Sequence, residues 1–335
     1  MTKEKPLFDL NNSSSQKVVL IFGISSFVGS NLAEVLKKDF KVIGTYFNNP
    51  VSIDGVVTFP CDVLKKDDVQ MALYTFRPDL TIYAAGLSSI TKCDENVDYA
   101  DALNSGGLFN VTEFCQRYKS QICYISSCYV FGGANRKYVE TDIPDSASLY
   151  GKTKATAEFF VQKTSLDYMV FRCCNFYGRG INKKSSNWFE KLENSIYEGK
   201  SLQWDNHVKI GFLDIYYLGY LIKLCFENMV RNRVFQVSST DLMTHYEFAK
   251  LYSDIFSHSD SLIIKGKWNF PLLNYIEMSL LEEMHFEMDL SNMESFLNIK
   301  LPSIKESLEF TKKRFRLSQS ESSKKSKKGG AITYI

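Results

Sequence analysis

KVVLIFGISSFVGSNLAEVLKKDF, residues 17 to 40, is the stretch from which the fold is read. Its first six residues are apolar without alternation after Lys17, the pattern of a strand buried on both faces of a parallel sheet. The run ends in a turn bounded by Gly23 and Gly29, and FVGSNLAEVLKKDF then has helical periodicity. Strand, glycine turn and helix in that order open a βαβ unit. Glycine at such a turn lets backbone amides and the helix N-terminus approach a pyrophosphate that a Cβ would keep away. Ser25, Ser26, Phe27 and Val28 lie inside the turn and belong to the same candidate phosphate site.

The alternation continues outward. KVIGTY (41–46), VVTF (56–59), LTIYAA (80–85), QICYIS (121–126) and MVFR (169–172) read as strands, separated by helix-length segments such as Asp67 to Phe76 and Asp101 to Tyr118. This predicts an α/β fold with a Rossmann-type, doubly wound parallel sheet over residues 17–180. After Tyr177 the pattern loosens. Asn187 to Gly199 reads as a helix, VFQVSS (234–239) as a strand and His245 to Phe256 as an amphipathic helix. A smaller C-terminal α/β substrate lobe is expected from 181–204 and 244–316, with part of 205–243 returning to the first domain. Residues 1–16 and the Ser/Lys-rich segment 317–335 are expected to be flexible, because they carry too little apolar surface to bury.

Composition excludes several classes. A chain of 335 residues that is 44% hydrophobic can bury a large core. Forty basic and 38 acidic residues leave a net charge of +2, which argues against a nucleic-acid binder. No apolar run reaches the length of a membrane span, and no secretory leader is apparent. Eight cysteines without C-x-x-C spacing and four scattered histidines give no metal site, and the thiols are expected to be reduced in a cytoplasmic protein.

The chemistry gathers around Tyr150-Gly-Lys-Thr-Lys154, where a phenol and an ammonium four residues apart share one helix face, close to Ser126 and Ser127 at the end of the fifth strand. Hydride transfer to a carbonyl leaves an alkoxide that needs a proton. Tyr150 is the candidate acid, Lys154 lowers its pKa, and Ser127 holds the carbonyl oxygen. A lone Y-x-x-x-K also occurs on ordinary exposed helices. Here it occurs together with a glycine turn and a strand-end serine, three signals in one chain.

Together these motifs resemble the extended short-chain dehydrogenase/reductases, and most closely the dTDP-4-dehydrorhamnose reductase branch, over about residues 17 to 315. The turn is similar to G-x-x-G-x-x-G, with Ser26 at the middle glycine; its Cβ would crowd a pyrophosphate while its hydroxyl offers a donor. SSCYVFGG (126–133) resembles S-T-D-Y-V-F-D-G, with Cys128 at the first aspartate, and YVETDIPDSASLYGKTKATAE (138–158) follows the branch's approach to its tyrosine. The resemblance implies cofactor contacts from Tyr46 and Asn48, Asp62 and Val63, Ala84, Ala85 and Gly86, and Asn104. Asp62 would equally serve as a helix N-cap, and Asn104 as a local cap or packing residue. Ser88, Ser127, Cys128, Tyr129 and Asn175 are the implied substrate contacts, Asn175 lying in R-x-x-N-x-x-G, where a plain turn residue is the alternative. Cys128 reads otherwise as a semi-buried thiol. Tyr46-Phe47-Asn48-Asn49 offers no carboxylate for a ribose 2′-hydroxyl, which favours NADP, with NAD as the alternative.

The expected function is NAD(P)H-dependent reduction of a keto group on a nucleotide-linked 4-keto-6-deoxy sugar, in deoxysugar or cell-surface polysaccharide biosynthesis. Two alternatives remain. One is a nucleotide-sugar epimerase with tightly held cofactor; the other is a non-catalytic, NADP-binding regulatory subunit like that of methionine adenosyltransferase. The resemblance also implies a homodimer. Arg179, Lys183, Lys184 and Lys209 are cations within reach of a diphosphate, none of them assigned. FLDIYYLG (212–219) replaces both aspartates of the common epimerase segment by Tyr216 and Tyr217, so the sugar pocket is expected to differ from that pattern.

Overall fold

A computed structural model of the chain describes residues 16–181, 186–266 and 284–328. The expectation for residues 1–15, and that for 329–335, lie outside the described residues. The first strands and helices are β1 (Val18–Phe22), α1 (Phe27–Leu36), β2 (Lys41–Tyr46), β3 (Val57–Pro60), α2 (Lys66–Phe76) and β4 (Leu80–Tyr83). Two short helices, α3 (Ile90–Glu95) and α4 (Val97–Asp101), lead through a π-helical turn at 102–106 into α5 (Gly107–Tyr118). Next come β5 (Gln121–Ser127), β6 (Lys137–Tyr138), α6 (Leu149–Thr164) and β7 (Tyr168–Cys173).

Seven strands form the central sheet in the order β12-β7-β5-β4-β1-β2-β3, every pair parallel, where β12 is Arg233–Val237. The unbroken apolar run of β1 has the physical outcome its composition demands. Val19 and Ile21 enter the core on one face of the sheet, and Leu20 and Phe22 enter the core on the other. At one edge of the sheet β12 pairs in register with β7, Val234 opposite Val170.

Most of the remaining elements build the second lobe: β8 (Asn175–Tyr177), α7 (Trp188–Tyr197), β9 (Leu202–Asp205), β10 (Val208–Ile210) and β11 (Phe212–Asp214), whereas α8 (Ile215–Glu227) packs on α1 beside the central sheet. They continue with α9 (His245–Phe256), β13 (Ile263–Gly266), β14 (Met284–Met288), α10 (Ser291–Leu297) and α11 (Ile304–Lys328). Small parallel sheets, β10-β14-β6, β11-β8 and β13-β9, tie this lobe together. Trp188 and Phe248 stack edge-on at 5.1 Å, and Phe212 lies 4.6 Å from Phe248, which makes its core aromatic.

The segment expected to be flexible from Leu317 instead continues α11 to Lys328. Ile304, Leu308 and Phe315 bury the first turns, and once a helix is nucleated each added residue gains a hydrogen bond without repeating the nucleation cost. The helix is further bolted to the lobe by Arg314, whose Nη2 lies 2.6 Å from the fully buried Asp214 carboxylate. All eight cysteines are unpaired and buried. Among the described residues no helix is long and apolar enough to cross a membrane.

One buried ion pair fixes α6 against the sheet. Arg172 on β7 donates through Nε to both carboxylate oxygens of Glu158 (3.2 and 3.0 Å) and through Nη2 at 2.8 Å, while Nη1 reaches the Glu140 carbonyl at 3.1 Å. Both side chains are almost wholly removed from water. Removing one partner strands the other charge in the core. Arg172→Met is therefore expected to lower unfolding stability by about 3–5 kcal/mol, read from denaturant midpoints; a loss below about 1 kcal/mol would show that the pair does not hold the helix.

Candidate active site

Helix α6 begins at Ser148, whose hydroxyl accepts the Gly151 amide at 3.1 Å and caps the free first turn. Tyr150 and Lys154 lie one turn apart on its buried face, each 8% exposed. The Ser127 hydroxyl, at the end of β5, lies beside the Tyr150 phenol closely enough to lower its pKa. Lys154 Nζ donates to the Ile125 carbonyl at 3.0 Å and sits 5.8 Å from the centre of the Tyr150 ring. The three predicted catalytic residues are thus brought together by β5 and α6.

Burial governs the electrostatics. It pushes the Tyr150 phenol up from its ordinary value, against the Ser127 hydroxyl that pulls it down. It pulls the Lys154 ammonium down to about 8, because a charged amine loses its hydration there.

Two adjoining cavities surround this group. The nearer, about 270 Å³, is bounded by Ser127, Tyr150 and Lys154 together with Phe27, Val28, Ser88, Tyr129 and Asn175. The farther, about 390 Å³, is bounded by Gly23, Ser25, Tyr46, Asn48, Asp62 and Val63. Ser26, Ala84, Ala85 and Gly86 border both, so the glycine turn and the end of β4 form the ridge between them. An elongated, two-part molecule fits this arrangement, its middle over the N-terminus of α1. At the turn itself Gly23 admits no side chain: its φ is +83°, and a Cβ would lie 2.6 Å from the Ala85 nitrogen.

Several predicted contacts are placed differently. Gly29 borders neither cavity; a Cβ there would lie 2.4 Å from the Gly23 carbonyl, so it supports the turn from behind. Ser26 borders both cavities, as expected for a residue whose Cβ narrows the turn, while its hydroxyl is engaged locally. The Oγ accepts the Gly29 amide at 2.9 Å as the N-cap of α1 and turns back to the Ala84 carbonyl at 3.4 Å. Asn104 is fully buried behind the wall: its Oδ1 accepts the Leu87 amide at 2.8 Å, and its Nδ2 donates to the Leu87 carbonyl and to Thr153 Oγ1. It holds the loop after β4 and does not face the cavities. Cys128 is 1% exposed and packs in the core, its thiol pushed well up by burial, so it is not a wall residue either. Asp62 borders the far cavity while accepting the Leu64 amide at 3.0 Å; the N-cap position of α2 is held by Lys65, which makes no side-chain cap bond.

Arg179 is committed elsewhere, paired through two 2.9 Å bonds to Glu193 and set 3.9 Å over the Phe315 ring. Lys183 and Lys184 lie outside the described residues. Sequence reasoning missed Trp188, Phe176, Cys173 and Cys174, which form the apolar wall of the near cavity. A signal for Trp188 was present in Asn187-Trp-Phe-Glu190, a capping box that starts α7 and fixes where the indole emerges.

A seven-stranded parallel sheet, a glycine turn and a serine–tyrosine–lysine group define a Rossmann-type protein of the extended short-chain dehydrogenase/reductase class. Residues 17–263 match the family described as RmlD substrate binding domain, and the chain belongs to that family. It is 27% identical over 202 residues to methionine adenosyltransferase 2 subunit beta of Rattus norvegicus, covering 58% of this chain and 60% of that protein. It is 29% identical over 163 residues to dTDP-4-dehydrorhamnose reductase of Aggregatibacter actinomycetemcomitans, covering 48% and 52%. The chain thus spans little more than half the length of these curated relatives. Among solved structures, dTDP-4-dehydrorhamnose reductase of Bacillus anthracis in complex with NADP superposes with a TM-score of 0.73 at 20% identity, covering 88% of this chain and 98% of that one. UDP-glucose 4-epimerase of Thermotoga maritima gives 0.75 at 18% identity, covering 90% and 99%.

The lowered Lys154 pKa has a testable sign. Between pH 8 and the ordinary 10.5, the folded chain has released a proton that the unfolded chain still binds, so folding gains stability as pH rises through that window. Wild type is expected to gain up to about 3 kcal/mol relative to Lys154→Met across it. Unfolding titrations at pH 7.5, 9 and 10 measure this; an unchanging difference would mean that Lys154 is not desolvated.

Proposed function

We propose that this chain is an NADPH-dependent reductase of a 4-keto-6-deoxy nucleotide sugar, working in the cytoplasm in deoxysugar or cell-surface polysaccharide biosynthesis. The observation that carries the reading is the Ser127–Tyr150 pair with Lys154 beside it, bordering a cavity that adjoins the glycine-turn cavity. The residues fit a dinucleotide. Gly23 and the first-turn amides of α1 suit its pyrophosphate, and Tyr46, Asn48 and Asp62 suit its adenosine half. No carboxylate follows β2 to repel a 2′-phosphate, which favours NADP over NAD.

When bound, the reduced nicotinamide supplies the hydride. The chain does the rest. Ser127 donates a hydrogen bond to the sugar's carbonyl oxygen and Tyr150 gives its phenolic proton to the oxygen as negative charge develops there. Lys154, charged below pH about 8, counters the burial that raises the phenol pKa and so makes the proton easier to give up. Trp188, Phe176 and Cys174 suit the methyl group of a 6-deoxy sugar, which an apolar wall accepts and a hydroxymethyl would not favour.

Three measurements test this reading. Mixed with NADPH and a set of 4-keto-6-deoxy nucleotide sugars, the protein is expected to oxidise one equivalent of NADPH per product. Tyr150→Phe should lose at least about a hundredfold in turnover while binding NADPH within about twofold of wild type. Product formed with no net cofactor oxidation would identify an epimerase, and full turnover by the Phe variant would overturn the assignment of Tyr150. Gly23→Val should weaken NADPH binding at least about tenfold in a fluorescence titration, since its side chain would fill the turn.

A further inference from the structure

We infer that His245 is a positioning residue for the sugar-nucleotide site, fixing through one hydrogen bond which face of the Asn175 carboxamide is offered to the substrate. The inference rests on the proposed reading of the near cavity as that site. Three elements that are remote in sequence meet here. Tyr129, in the turn after β5, donates its hydroxyl to Asn175 Oδ1 at 3.1 Å. Asn175, the first residue of β8, places Nδ2 3.4 Å from Nε2 of His245, the first residue of α9.

The donor order follows from the geometry. The Tyr129 hydroxyl donates to Asn175 Oδ1, which turns the amino group of the same carboxamide toward His245. Nδ2 therefore faces the imidazole and donates, which requires an unprotonated Nε2 and leaves the ring proton on Nδ1. An imidazolium could not accept this bond. The ring stays neutral across the physiological range, its pKa pulled down to about 3 by a setting in which it is 2% exposed. It is also locked in orientation, edge-on to Trp188 at 5.1 Å and to Phe212 at 4.9 Å.

With one Nδ2 proton engaged by His245, the other is presented in a fixed direction. An amide so held reads an acceptor, such as a diphosphate oxygen of a nucleotide sugar, and the second lobe, through α9, sets that reading. Among the described residues lining this cavity Lys154 is the one charged side chain, so a fixed neutral donor has no competing cation beside Asn175.

Two experiments decide it. Nitrogen NMR of the histidine side chains in the full chain is expected to show His245 as the Nδ1-protonated tautomer, unchanged from pH 5 to 8. An Nε2-protonated or charged ring would overturn the inference whatever the enzyme's substrate. In kinetics with NADPH and the accepted keto sugar, His245→Phe, which fits among the surrounding rings, should raise KM at least about tenfold with kcat within about twofold. His245→Gln, which retains an acceptor, should recover most of the loss. Equal KM values for the Phe variant and wild type would overturn it. If no sugar is turned over by wild type, the proposed function fails, and the NMR result still decides the role of His245.

Discussion

Helix α6 carries Tyr150, Lys154 and Glu158 at intervals of four, so a single stripe of polar side chains faces the sheet where an ordinary helix would present leucines. Each must be matched or it costs the helix its place. Tyr150 is matched by Ser127, Lys154 by the Ile125 carbonyl, and Glu158 by Arg172. The last pair is the strongest constraint, because two opposite charges so deeply buried leave no tolerance for sliding. With Glu158 fixed, the two residues N-terminal to it on the same stripe arrive at the cavity with no freedom of register. The geometry of the site is thereby held by an ion pair that borders neither cavity.

A similar division runs through the rest of the site. Asn104, Gly29 and Ser26 are residue types suited to direct contact, yet their polar atoms or their lack of a side chain are used to hold the loops that do the contacting. Asn104 closes both the amide and the carbonyl of Leu87, which keeps the 84–88 segment in place as the common wall of the two cavities. Ser26 gives the turn a cap that a glycine could not. The exchange is one of an open approach for a stiffer turn, and it leaves the amides of Phe27 and Val28, in the unbonded first turn of α1, to face the ridge.

What was legible in the sequence follows from periodicity and local capping. β2 was read with the bounds observed, and so was α9, where Thr244 and Glu247 form a capping box ahead of an amphipathic run. The serine–tyrosine–lysine group was legible because four-residue spacing on a helix and a strand-end serine are local signals. Depth was not legible. Whether Cys128 or Asn104 faces the cavity depends on the packing of α6 against the turn after β5, and no local pattern encodes it. The apolar wall was also hidden, since Trp188 reaches the cavity only through the fold of the second lobe. The extension of α11 past Leu317 was missed for a different reason: composition measures the ability to nucleate a helix, whereas Ile304 and Leu308 had already nucleated this one.

The replacement of a carboxylate by Cys128 narrows the chemistry further. Elimination of water from a sugar requires an acid and a base positioned in addition to the tyrosine. Here the residue after Ser127 is a buried thiol held protonated, Tyr129 next to it is likewise held protonated, and its hydroxyl is spent on Asn175. No carboxylate lines the near cavity among the described residues. Tyr150, with Lys154 beside it, stands where the proposed carbonyl reduction would need its proton donor, and the reverse reaction on the same carbon would use the same groups without an added acid.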